Sequence, residues 1–238
     1  MVRNALVAAV LGVVAFVGQA AGDVFLSPAW WGAGDGGTTY QQWDVFTAGT
    51  GNLPDIGRLT DGTVLADPTV DALPPAFVTS TGNFYSFSGP YGVATDVPNY
   101  GSGAGTHIIV QTAASMNPDA EVGGPASVFI DSLRIEDGSG TVLPGGSNAE
   151  ALQKALITTT PDSGPMGETT VEWLIWEFYL PGYAGDFEIL SESIIHSQYR
   201  ELRVDTAIAG AAYPITPVPE PTSLLLLGVG AVLLRRRG

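Results

Sequence analysis

Residues 169–180 read TTVEWLIWEFYL. Read as a strand, the stretch puts Leu174, Trp176, Phe178 and Leu180 on one face. Val171, Trp173, Ile175 and Tyr179 fall on the other, interrupted only by Glu177. A strand that is apolar on both faces is a central strand, covered on both sides. The same stretch carries Glu172 and Glu177 among tryptophans, which invites a glycosidase reading. Residues five apart point to opposite faces of a strand, and on a helix they sit about 140° apart. Neither arrangement aims both carboxyls at one sugar. The aromatic surfaces of Trp173 and Tyr179 offer another use, stacking on the C–H face of a pyranose.

Outward from this strand, short apolar runs alternate with Gly, Pro, Asn and Asp. Candidate strands are 23–27, 42–47, 76–80, 84–88, 106–112, 127–135, 157–160, 170–180, 186–190 and 199–205. In the 127–135 run Phe129, Leu133 and Ile135 share a face with Asp131. Ser147 and Glu150 have capping-box spacing ahead of ALQKAL, which predicts a helix of about two turns. Ten strands and at most one or two short helices give an all-β fold, an antiparallel β-sandwich of jelly-roll type.

The 238 residues include 45% hydrophobic side chains, enough for a core without staples. Cysteine is absent, so no disulfide contributes. Between residues 23 and 217 five basic residues face 23 acidic ones, a net of −18. Such a surface repels phosphate backbones, so no nucleic acid is expected as partner. The two histidines, His107 and His196, lack zinc-ligand spacing. The GGSNA stretch at 145–149 misses the nucleophile-elbow pattern, and the Gly-rich 100–105 lacks a phosphate-loop lysine. The chain is therefore read as non-enzymatic, with no cofactor. Calcium is the one candidate ion, with oxygen ligands from Asp35, Glu136 and Asp137 in turns. A second aromatic-rich stretch, 27–46, places Trp30 and Trp31 beside a Gly-rich loop, where they join Trp173 and Tyr179 as candidate glycan contacts.

The two ends carry addresses. Arg3, an apolar run over 5–17 and small residues at Gly18, Ala20 and Gly22 form a signal-peptide pattern, with cleavage after Ala20 or Gly22. The other end reads VPEPTSLLLLGVGAVLLRRRG. As a helix, residues 224–234 would be about 16 Å long, roughly half of a bilayer's hydrocarbon core. Arg235, Arg236 and Arg237 would hold its inner end by the positive-inside rule. Pro219 and Pro221 keep Glu220 in an extended collar outside.

Pro219-Glu220-Pro221, the apolar run and the terminal arginines, in that order, resemble a PEP-CTERM sorting domain. The resemblance covers about the last twenty residues. It implies an exported bacterial protein handled by an exosortase-type membrane protease after a signal peptidase. Pro219, Glu220 and Pro221 would be recognition residues, and the arginines a membrane stop. It further implies transient anchoring, then residence at the cell surface or in the extracellular matrix. The organisation expected is a signal peptide over 1–22, a β-sandwich ectodomain over 23–210, a Pro-rich linker over 211–218 and the sorting segment with a short transmembrane helix over 219–238. The role expected is structural or adhesive, with extracellular polysaccharide as a candidate partner. The alternatives are a carbohydrate-binding, lectin-like module and a secreted glycan hydrolase, which needs converging carboxyls in a cleft.

Overall fold

The computed structural model describes residues 24–32, 35–56, 69–99, 103–116, 128–164 and 167–218. The strands are β1 (Thr38–Trp43), β2 (Thr69–Ala72), β3 (Phe77–Val78), β4 (Phe84–Tyr85), β5 (Tyr91–Val97) and β6 (Gly105–Met116). There follow β7 (Arg134–Glu136), β8 (Gln153–Gly164), β9 (Gly167–Pro181), β10 (Phe187–Ser193) and β11 (Ser197–Ile208). Seven strands form one sheet in the order β3-β4-β11-β6-β9-β8, with β1 also paired to β11. Four form the other, in the order β2-β5-β10-β7. Every pairing is antiparallel.

From β5 to β11 the chain crosses between the sheets at each step except the β8–β9 hairpin. The first strand pairs with the last, Thr39 opposite Thr206. This is the antiparallel β-sandwich of jelly-roll type that the turn-punctuated sequence implied.

The decisive strand β9 lies between β6 and β8, with Trp176 opposite Val110 and Phe178 opposite Ile108. Its even-numbered face enters the core between the sheets with Trp43, Val93, Val110, Leu133, Ile189, Leu202 and Val204. Tyr91 ties the sheets at one end. Its hydroxyl bonds to the carbonyls of Phe84 and Ser197 and accepts the Tyr199 N–H. Burial pushes the Tyr91 hydroxyl pKa up to about 12, against the opposing effect of the Ser197 and Ser193 side chains and the Tyr199 N–H.

Among the described residues the odd-numbered face of β9 meets no third sheet. Trp173 and Ile175 join Ile109, Ala113, Ile157 and Ala207 in a second cluster, closed by Phe25, Leu26 and Trp31 from the N-terminal side. Val24, Tyr213 and Val218 pack on its margin. Burying Phe25 or Leu26 in this way contributes about 1.5–3 kcal/mol each.

Local chemistry shifts several expected boundaries. The strand expected at 42–47 stops at Trp43. Beyond it Asp55 Oδ2 accepts the Asp44 and Val45 N–H groups, and Asn52 Oδ1 those of Thr47 and Ala48. The strand expected at 127–135 survives only as a Val128–Ser193 bridge and β7. Ser132 turns the chain between them, its N–H and Oγ both donating to the Phe129 carbonyl. Residues 24–27 run extended without joining a ladder.

The two-turn helix is corrected to a single 3-10 turn, Asn148–Glu150. Ser147 Oγ donates to Glu150 Oε2 at 2.6 Å and caps no backbone N–H. QKAL, residues 153–156, is instead drawn into β8 by pairing with β9, Lys154 opposite Trp176.

Trp176 is wholly buried and donates Nε1–H to the Ile130 carbonyl at 3.0 Å. Replacing it with alanine is expected to cost about 3–5 kcal/mol of stability in urea denaturation. Trp30→Ala, at a half-exposed position, should change stability little.

Candidate functional site

The outer face of the seven-stranded sheet gathers polar side chains at the centre of an apolar surface. His107 from β6 and Glu177 from β9 are both wholly buried, with His107 Nε2 3.3 Å from Glu177 Oε2. Their remaining atoms grip backbone. His107 Nδ1 accepts the Tyr213 N–H at 3.1 Å, and Glu177 Oε1 accepts the Thr216 N–H at 2.7 Å. A backbone N–H can only donate, so Nδ1 carries no proton and Nε2–H points at the Glu177 carboxyl. Tyr179, the neighbour of His107 across β6–β9, donates its hydroxyl to the Ala209 carbonyl at 3.3 Å.

The N-terminal segment is held in the same manner. Gln111 Oε1 accepts the Leu26 N–H at 2.7 Å and its Nε2 donates to the Leu26 carbonyl at 2.8 Å. The amide thus serves both backbone groups of Leu26, as a neighbouring strand would. Trp31 links the two end segments. Its ring lies 5.2 Å from both the His107 and Tyr213 rings. Residues 211–218, expected as a linker, therefore lie partly against the sandwich.

The expected site residues scatter. Trp31 and Trp173 are only 8% and 7% exposed; Trp173 packs edge-on to Phe25 and donates to Thr160 Oγ1. Tyr179 is half-buried, and Trp30 alone of the four is exposed. Trp173 is covered by the N-terminal segment, and Trp31 is itself part of that cover, packed on His107 and Tyr213. Glu172 shares the face of Leu174 and Trp176, while Glu177 shares that of Ile175. Asp35 Oδ2 accepts the Gly32 N–H at 2.8 Å, and Glu136 pairs with Arg134 at 2.6 Å. Asp137 Oδ1 accepts from the Ser139 N–H, Ser139 Oγ and Thr141 N–H, bonds that hold its carboxyl below the usual range. Among the described residues no three His, Cys, Asp or Glu side chains gather to hold a metal ion.

An aromatic ledge escaped the sequence reading. Phe77 on edge strand β3 and Phe87 just after β4 stack at 5.6 Å with an interplanar angle of 21°. They are 41% and 65% exposed. Tyr85 stands edge-on to Phe87 at 4.7 Å and is bonded to His196 Nδ1 at 3.0 Å. His196 sits at φ 62°, rare for a residue with a Cβ. The signal was present in FYSF at 84–87, which read only as part of the candidate strand 84–88.

An open groove of about 600 Å³ lies along β7 and β10, lined in part by Asp131, Arg134, Asn148 and Glu192. Its acids have cationic partners: Asp131 pairs with Lys154, and Glu192 lies 4.0 Å from Arg134. Glu188 on the four-stranded sheet stands directly opposite Asp96 and Glu136.

Residues 217–237 match the PEP-CTERM protein-sorting motif. The match includes Pro219, Glu220, Pro221 and the three arginines, which lie outside the described residues, as do residues 1–22. A tail of this kind marks an exported protein sorted by an exosortase, with transient membrane anchoring before surface display. No curated protein and no solved structure matches the chain. Among the described residues no helix is long and apolar enough to cross a membrane.

Desolvation raises the Glu188 pKa, and repulsion from Asp96 and Glu136 adds to it against the pull of Arg134. A carboxyl raised in the folded state favours folding when protonated, and that advantage is lost as pH rises through its folded value. Glu188→Gln should therefore raise the melting temperature at neutral pH. The gain should vanish in acid, where wild-type Glu188 is protonated, as thermal scans across pH would show.

Proposed function

We propose that this exosortase-sorted exported protein has a structural or adhesive role at the bacterial surface or in its extracellular matrix, without catalytic activity. The observation that carries the reading is the state of the His107–Glu177 pair. These are the groups best suited by type to acid–base chemistry. Both are sealed beneath the chain's own end segments, and three of their four ring-nitrogen and carboxyl-oxygen atoms are accounted for by one another or by Thr216, the fourth by Tyr213. They hold backbone in place and offer no approach to a substrate.

The partners in this reading are a signal peptidase, an exosortase-type membrane protease acting at Pro219-Glu220-Pro221, and the polysaccharide or protein of the matrix. A second reading, glycan binding, is favoured by the Phe77–Phe87 ledge. Two nearly parallel exposed rings suit the apolar faces of successive sugars.

Mass spectrometry of the protein from its own cells tests the sorting role. The mature wild-type form should lack the Arg235–Arg237 end, and Glu220→Ala should retain it. Glycan-array binding tests the second reading. Phe87→Ala should abolish any binding while leaving thermal stability near wild type, since the ring is largely exposed.

A further inference from the structure

We propose that Glu177 and His107 latch the chain immediately ahead of the sorting tripeptide, and that opening this latch limits the rate of tail processing. The inference rests on the exosortase reading above and adds to it a positioning role for two residues of the body.

Thr216 is almost fully buried and lies three residues before Pro219. Three extended residues span at most about 10 Å. An enzyme that reads an extended peptide engages backbone on both sides of its motif. With Thr216 hydrogen-bonded to Glu177, the upstream side is lodged on the sandwich and little free chain remains.

The attachment is built to open locally. Beyond Ala209, whose N–H donates to the Gly105 carbonyl and whose own carbonyl accepts from Tyr179, the segment to Val218 joins no ladder, and its bonds to the sheet run through side chains: His107 to Tyr213 and Glu177 to Thr216. Between the last two hooks Pro214 and Ile215 face solvent, as does Pro217 just past Thr216. The segment can lift without unpairing any strand. The hooks are coupled as well. Nε2–H of His107 points at Glu177, which fixes the tautomer that leaves Nδ1 open to the Tyr213 N–H. A change at Glu177 therefore loosens both points.

The alternative is that residues 213–218 only cover an apolar face, in which case loosening them alters stability and leaves processing alone. Pulse-chase of the full chain in producing cells separates the two, using Glu177→Gln, Thr216→Pro, Tyr213→Ala and Glu220→Ala. Thr216→Pro removes the donor N–H, and Tyr213→Ala removes the ring set between Trp31 and His107 well ahead of the tripeptide. Amide exchange of the purified full chain reports opening directly, at Thr216 in Glu177→Gln and Tyr213→Ala, and at residue 213 in every variant.

Each loosening variant should speed exchange and convert precursor to mature form several-fold faster, with Glu177→Gln combined with Thr216→Pro no faster than Glu177→Gln alone. Glu220→Ala should block conversion. Faster exchange with conversion unchanged or slowed would overturn the latch while leaving sorting intact. Unchanged exchange in all three loosening variants would also overturn it, since these bonds would not be what holds the segment. Normal conversion of Glu220→Ala would remove the sorting reading, and the latch with it. Should Glu177→Gln fail to accumulate, Thr216→Pro and Tyr213→Ala, which leave the sandwich core untouched, decide the matter.

Discussion

A strand that is apolar on both faces needs cover on both, and β9 sets this demand for the whole molecule. The four-stranded sheet meets it on one side, closing the core around Trp176 and Phe178. A two-layer sandwich has no further layer for the other side. Here the chain ends supply it, laying Phe25, Leu26 and Trp31 over Trp173 and Ile175. The cover consists of single extended segments, so their backbone polar groups cannot be satisfied by a ladder. Gln111, His107 and Glu177 answer that need from the sheet beneath. Buried Gln111, His107 and Glu177 thus follow from the two-faced strand, because buried backbone groups must be paired.

The same demand connects fold to function. The segment that completes the cover is the one that runs into the sorting tail, and its buried end at Thr216 adjoins the matched residues 217–237. The fold and the address are mechanically joined with no slack between them. Elsewhere the surface is acidic and repulsive, as where Glu188 faces Asp96 and Glu136 across strands.

What could be read in advance was whatever local periodicity or punctuation encodes. The two faces of β9 and the turn-rich spacing led to the sandwich, and the ordered elements of the tail led to sorting. Strand β5 went unread although Tyr91, Val93 and Val97 alternate, because Pro90, Gly92 and Asp96 signal turns. The two-turn helix expected from the Ser147–Glu150 capping box failed because pairing with a long neighbour outweighs a local capping pattern. The candidate contacts Trp31 and Trp173 failed for a different reason. Aromatic type and strand face are local properties, but whether a sheet face is open depends on where the chain ends lie. The His107–Glu177 pair is 70 residues apart in sequence and adjacent only through the β6–β9 register. No spacing rule finds it.

Strand β1 pairs with β11, and residue 216 seals the outer face. Both steps await the last part of the body. A polypeptide threaded outward from its first residue would hold its N-terminal strand unpaired until nearly all of it had emerged. Its final stitch would be made beside the tail. The topology thus imposes a timetable: this domain matures late, at the threshold it has just crossed, and cannot lock itself shut while still in transit.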